Sequence, residues 1–176
     1  GRAATATLHP FVSAEIEDLD LLRALQFGLL PPIYFSAQPE DDLSDYIGAY
    51  IREEIAAEGL TRNIPAFSRF LEVAALCNGQ QINFTNIAND AQVARTTVHE
   101  YFAILKDTLL AYELPAWQET VKRKPVQVHK FYFFDAGVAR ALQGGGPLRE
   151  NSPEFGSALE NFIFHELRSY ADYRLG

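Results

Sequence analysis

The sequence predicts a mainly α fold with a small β component, built as a helical segment followed by a winged helix-turn-helix. Three observations lead there. Apolar residues recur at helical spacing in separate runs, among them Leu43, Tyr46, Ile47, Tyr50, Ile51 and Ile55, then Phe67, Phe70, Leu71, Ala74 and Ala75. Two later helical runs are joined only by Gln92, Val93 and Ala94, the short connection of a helix-turn-helix. Residues 110–114 and 126–134 then read as two strands around a loop at 118–125. With 48% hydrophobic residues, the 176-residue chain can bury a sizeable core without disulfides or a metal.

In chain order, Leu8-His9-Pro10-Phe11 reads as a strand remnant. A helix is expected over residues 13–27, with Ser13 as N-cap and Glu15, Glu17 and Asp18 favouring its positive end; Gly28 ends it. Residues 29–35, with Pro31-Pro32, read as an extended connection, and a second helix follows over about 39–58 until Gly59. Pro65 suits the first turn of a third helix that ends near Gly79. A short helix capped by Asn83 or Thr85 runs to about Ala91, and a longer one covers residues 95–109. After the hairpin, Val138, Ala139 and Leu142 mark a short helix from Asp135 onward, which Gly144-Gly145-Gly146-Pro147 breaks as a linker. A polar loop leads to a last amphipathic helix from Ser157.

The formal charge of −8 argues against a chain that coats nucleic acid indiscriminately, so any such contact must come from a local patch. The single cysteine, Cys77, excludes an internal disulfide and a multi-cysteine zinc site, and reads as a buried free thiol. No apolar run approaches the roughly 18 residues that span a bilayer, and the expected location is cytoplasmic. The lack of methionine, and a final helix with nothing after it to cover it, suggest an internal fragment of a longer protein.

In the helix at 95–109, Val98, Tyr101, Phe102, Leu105 and Leu109 form the inner stripe, while Thr96, Glu100, Ala103 and Asp107 face out. Two carboxylates there have the wrong sign for the major groove, which leaves Arg95, Thr96 and Thr97 as candidate nucleic-acid contacts and favours a packing or protein-contact role. Lys122, Arg123 and Lys124, with His129 and Lys130, make the one basic patch: a contact for phosphates or an acidic partner, or a solvated hairpin tip. In the last helix Leu159, Phe162, Ile163, Leu167 and Tyr170 form an apolar stripe expected to fold back onto residues 67–142, with pairing to a second copy and fraying as the alternatives. Glu166 falls within that stripe, where it pairs with a cation, binds a metal, or stays exposed. The histidines His9, His99, His129 and His165 show no metal-ligand spacing, and no phosphate-binding loop is present.

Several segments together carry a resemblance: Gly1-Arg2-Ala3, Leu8 to Phe11, Gly28-Leu29-Leu30-Pro31, the run from Thr96 to Leu105, and above all Lys130-Phe131-Tyr132-Phe133-Phe134-Asp135-Ala136-Gly137-Val138, with Gly156, Glu160 and Glu166-Leu167 after it. The chain resembles the C-terminal region of bacterial and archaeal AAA-type P-loop ATPases, in which a winged helix is followed by a restriction-endonuclease-like domain. The resemblance implies that residues 1–64 are the tail of the ATPase core and a helical connector, 65–135 the winged helix, and 136–176 the start of a truncated nuclease-like domain. It places Arg2 near the nucleotide, and makes Glu160 and Glu166 possible remnants of an incomplete metal site. ATP and Mg are then expected for the full-length protein and no cofactor for this chain. The expected function is a non-catalytic regulatory or target-recognition module of an AAA-type ATP-binding protein, with a protein partner or the ATPase core as its contact. A DNA-binding module acting through the basic hairpin, and a piece of a metal-dependent nuclease, are the alternatives.

Overall fold

In the computed structural model, which describes residues 7–51, 55, 61–116 and 129–175, the chain is mainly helical with one small antiparallel sheet. Helices α1 (Leu21–Phe27), α2 (Pro31–Tyr34) and α3 (Pro39–Asp45) come first, and π-type turns over Tyr46–Ile51 continue α3. Then α4 (Ile64–Leu76), α5 (Phe84–Ala91) and α6 (Arg95–Asp107) lead into strands β1 (Ala111–Leu114) and β2 (Lys130–Phe133). Helices α7 (Ala136–Leu142) and α8 (Pro153–Leu175) complete the described chain.

The order helix, helix, helix, hairpin is as the sequence predicts, and local chemistry explains its punctuation. The Asn63 side chain accepts from the Ala66 amide to start α4, and Asn83 accepts from Thr85 and Asn86 to start α5. Gln92 closes α5 in the left-handed region at φ 55°, so the chain turns at once into α6. Strands β1 and β2 pair antiparallel, from Ala111 opposite Phe133 to Leu114 opposite Lys130. The other edge of β2 is met by the α4–α5 connection: Gly79 N donates to Phe131 O at 2.7 Å, Phe131 N to Gln80 O and Ile82 N to His129 O. Residues 117–128, which include the expected hairpin loop, lie outside the described residues.

Several expectations are corrected. The helix expected over 13–27 is two pieces: a 3-10 turn at Ser13–Glu15, and α1. Asp18, at φ 53°, breaks them apart, and Asp20 rather than Ser13 caps α1 by accepting from Arg23 N at 3.0 Å. Pro31 and Pro32 open a helical turn instead of an extended link, because a proline in the first turn gives up no intrahelical hydrogen bond. The last helix begins at Pro153, ahead of Ser157, with Ser152 Oγ accepting from Phe155 N. Leu109, placed in the inner stripe, lies past the end of α6 at φ 60° and is exposed.

The main core joins both halves of the chain. Phe67, Phe70 and Leu71 of α4 meet Val98, Phe102 and Leu105 of α6, Phe131 and Phe133 of β2, and Val138 and Ala139 of α7. Helix α7 is buried along nearly its whole length and touches α1, α3, α4 and α8. Its entry is set by Asp135, whose Oδ1 accepts from Val138 N at 3.0 Å while Oδ2 accepts from Leu29 N at 2.7 Å. Around this carboxylate the backbones lie too close for side chains. Gly28 sits at φ 82° with its Cα facing the Asp135 carboxylate, and a Cβ on Gly137 would overlap the Phe27 carbonyl and the Gly28 nitrogen.

Asp135→Ala removes a cap and leaves the Leu29 amide buried without an acceptor, and is expected to lower the unfolding free energy by about 2–4 kcal/mol. Gly137→Ala should cost about 3 kcal/mol or more through overpacking. Gly146→Ala, with no atom within 4 Å of its Cβ position, should stay within about 0.5 kcal/mol of wild type. Urea denaturation of the three variants checks the ranking.

Candidate functional site

Helix α6 is held by its inner face and presented by its outer one. Tyr101 meets Phe67 edge-on at 5.0 Å, and Phe102 meets Phe70 at 5.0 Å and Phe131 at 4.7 Å. Perpendicular aromatic contacts of this kind fix the rotation of a helix as well as its position. Arg95, Thr96, His99, Glu100, Ala103, Lys106 and Asp107 are exposed, and Thr97 is half-buried. His99 lies flat on the Phe84 ring at 3.8 Å. Lys106 donates to Glu113 of β1 at 2.8 Å, and His129 stands 3.5 Å from the same carboxylate. Burial pushes Glu113 up, but these partners more than offset it and hold its carboxyl below the usual range. The face is mixed in sign, with the free carboxylates of its centre and end next to Arg95 and Lys106.

The basic residues expected beside it are only partly placed. Lys122, Arg123 and Lys124 lie outside the described residues, as does Arg2. Lys130 is not available as a lone cation: it donates to Glu160 Oε1 at 2.6 Å, as the Tyr132 hydroxyl also does at 2.6 Å. These two bonds draw the Glu160 carboxyl down, while burial, together with the bond to Glu160, pushes the Tyr132 phenol up. Phe164 stacks on Tyr132 at 4.2 Å, so Lys130, Tyr132, Glu160 and Phe164 join the sheet to α8.

Glu166 takes none of the three courses read from the sequence. It accepts from Ser13 N at 2.7 Å and from Ser13 Oγ at 2.8 Å, and so orders the turn at Ser13–Glu15. Glu160 and Glu166 therefore serve different partners and are not brought together. Among the described residues, no group of three or more His, Cys, Asp or Glu side chains could hold a metal ion.

Sequence reasoning missed the contacts that tie residues 9–13 to α8. His9 Nε2 bonds Asp172 at 2.8 Å, the His9 amide donates to the Tyr173 hydroxyl at 3.0 Å, and His165 Nε2 donates to Phe11 O at 2.9 Å. Arg168 stands 3.2 Å from the centre of the Tyr112 ring and 3.5 Å from Asp172. Residues 9–13 and their partners on α8 are over 150 residues apart in sequence, and no spacing rule reaches that far.

A second missed feature is a cleft of about 580 Å³ between α3, its π-type extension and α7, lined by Phe27, Glu40, Asp41, Ile47, Arg140 and Gly145. Arg140 is buried and donates to Gly146 O at 2.7 Å, while its Nε has no partner. The glycines read as a linker thus line the cleft and receive the arginine. The expected buried thiol, Cys77, is half-buried at the end of α4, and burial pushes it up.

Comparison with known proteins gives the family. The model for the family described as Domain of unknown function (DUF8612) matches residues 18–149, and the chain belongs to that family. It is 26% identical over 145 residues to the uncharacterized protein Mb2031c of Mycobacterium bovis and equally to the uncharacterized protein Rv2008c of Mycobacterium tuberculosis. Each match covers 80% of this chain and 33% of the relative, so the chain spans about a third of their length. No solved structure matches it significantly. No helix of the described residues is long and apolar enough to cross a membrane.

The His9 contact gives a pH dependence. Burial is the largest influence and lowers its pKa from the ordinary 6.5, with the Asp172 hydrogen bond opposing. The neutral ring is therefore favoured by folding. Its contribution is present above about pH 6.5 and is lost as pH falls through the lowered folded value. Urea midpoints at about pH 7.5 and about pH 5 should drop more for wild type than for His9→Gln. A larger drop in the variant would refute the assignment.

Proposed function

We propose that this chain is a non-catalytic target-recognition or regulatory module of a longer, cytoplasmic, AAA-type ATP-binding protein, and that it presents the outer face of α6 to a protein partner. The observation that carries this reading is the division of α6 into a buried aromatic stripe and an outer face that is exposed throughout. Glu100 and Asp107 on that face repel phosphates, and Lys106 and Lys130 are already paired with Glu113 and Glu160. A surface of small and mixed-charge side chains around Ala103 suits a protein surface better than a duplex. The link to ATP rests on the resemblance described above, and relatives of which the match covers only 33% leave ample chain for an ATP-binding core.

Duplex DNA and ATP, each titrated into this chain, test the reading together. ATP is expected to give no calorimetric signal in the micromolar range. Duplex of random sequence should bind no tighter than about 10⁻⁴ M at physiological salt, the weak end of non-specific binding. Sub-micromolar, salt-sensitive DNA binding that Lys122→Ala, Arg123→Ala and Lys124→Ala together abolish would replace it with a DNA-binding module. Micromolar ATP binding by the chain alone would overturn the non-catalytic assignment.

A further inference from the structure

Helix α8 carries apolar side chains on both its inward and its outward side. Its inward face carries Ala158, Asn161, His165 and Ser169, all buried, with the amide of Asn161 and the hydroxyl of Ser169 lacking hydrogen-bond partners. Its outward face carries Ile163, Leu167 and Tyr170, which are 47%, 65% and 61% exposed. The stripe expected to fold inward is therefore split: Leu159 and Phe162 pack against the core, and the other three face out. Successive exposed positions 160, 163, 167, 170 and 174 alternate by three and four residues, the seam spacing of a two-helix coil. The ends of this seam are Glu160 and Arg174, of opposite charge and equally distant from Leu167.

We propose that the outward stripe of α8 is a self-association surface, on which a second copy of this chain packs antiparallel with the twofold axis at Leu167. That register is self-complementary, as an isologous contact requires. Leu167 meets Leu167 of the second copy, Tyr170 meets the half-buried Phe164, and Ile163 meets the small, half-buried Ala171. At both ends Glu160 stands opposite Arg174. The two bonds that Glu160 makes within its own chain both fall on Oε1, which leaves Oε2 for the arginine of the second copy. The antiparallel sense also places unlike helix ends together. A contact of this length is small, so the dimer is weak and depends on concentration.

Sedimentation equilibrium of the chain over a wide concentration range reads the association. Wild type should approach the dimer mass, and Leu167→Asp should remain a folded monomer, because the side chain it replaces is exposed. Cysteine cross-linking in a Cys77→Ala background reads the register. Leu167→Cys should oxidise to a covalent dimer several-fold faster than Ile163→Cys or Arg174→Cys. In the antiparallel pair those last two positions lie about 12 Å and about 21 Å apart along the axis, at 1.5 Å per residue, beyond disulfide reach. A wild type that stays monomeric at every concentration overturns the proposal, and the stripe then belongs to a different partner. Association that survives Leu167→Asp, or equal cross-linking at the three positions, overturns it as well. If Leu167→Asp does not fold, the cysteine series decides alone.

Discussion

The carboxylate of Asp135 joins parts of the chain that the sequence keeps apart. It lies two residues past the end of β2 and caps α7, so its position is set by the sheet behind α6. One oxygen orders the first turn of α7, and the other holds the Leu29 amide between α1 and α2, 106 residues earlier. Burying a carboxylate is costly, and burial pushes the Asp135 pKa up against the pull of the Leu29, Val138 and Gly137 amides and of His165. That cost is tolerated because the same group supplies buried amides with an acceptor. Gly28 and Gly137 make the arrangement possible, since any side chain at either would occupy the space of the carboxylate or of the opposing backbone.

From this junction the rest of the architecture follows in two directions. Through α7 and β2 it reaches the aromatic interior of the three-helix unit, which fixes the rotation of α6 and so decides which of its residues face out. Through α1 it reaches α8, where Leu25, Leu148 and Ala158 form a small core of their own. Helix α8 is then held by that core and by polar contacts with residues 9–13, while Ile163, Leu167 and Tyr170 are left outward. The two ends of the described chain are thus locked to each other, while the surfaces free for recognition lie on α6 and on the far side of α8.

How much of this was legible in the sequence depended on the range of the interaction responsible. The helices α4, α5 and α6 were readable because periodicity and the Asn83 cap act within a few residues. The same rules failed at Pro31-Pro32, where the prolines begin a helix, and over residues 13–27, where Asp18 and the Asp20 cap divide what composition alone would join. Helix α8 was found, but its stripe is split: Leu159 and Phe162 face the core, while Ile163, Leu167 and Tyr170 face out, because apolar periodicity assumes an apolar neighbour along the whole face. Here the neighbours offer a carbonyl at Phe11 and a serine at Ser13, and they take His165 and Glu166. Of the candidate site residues, Arg95 and Thr96 are exposed and Thr97 half-buried at the start of α6, whereas Lys130 is engaged by a glutamate thirty residues away. The block from Lys130 to Val138 stood out as the most distinctive part of the sequence. Its Asp135 and Gly137 now have a physical reason.

Amide hydrogen exchange under native conditions tests the central role of Asp135 most directly. If its carboxylate joins α1 to α7 as described, the Leu29 and Val138 amides exchange only through global unfolding, with one shared opening free energy. Exchange of either amide at the rate of a local loop opening, while the α4 and α6 amides stay protected, would contradict the account.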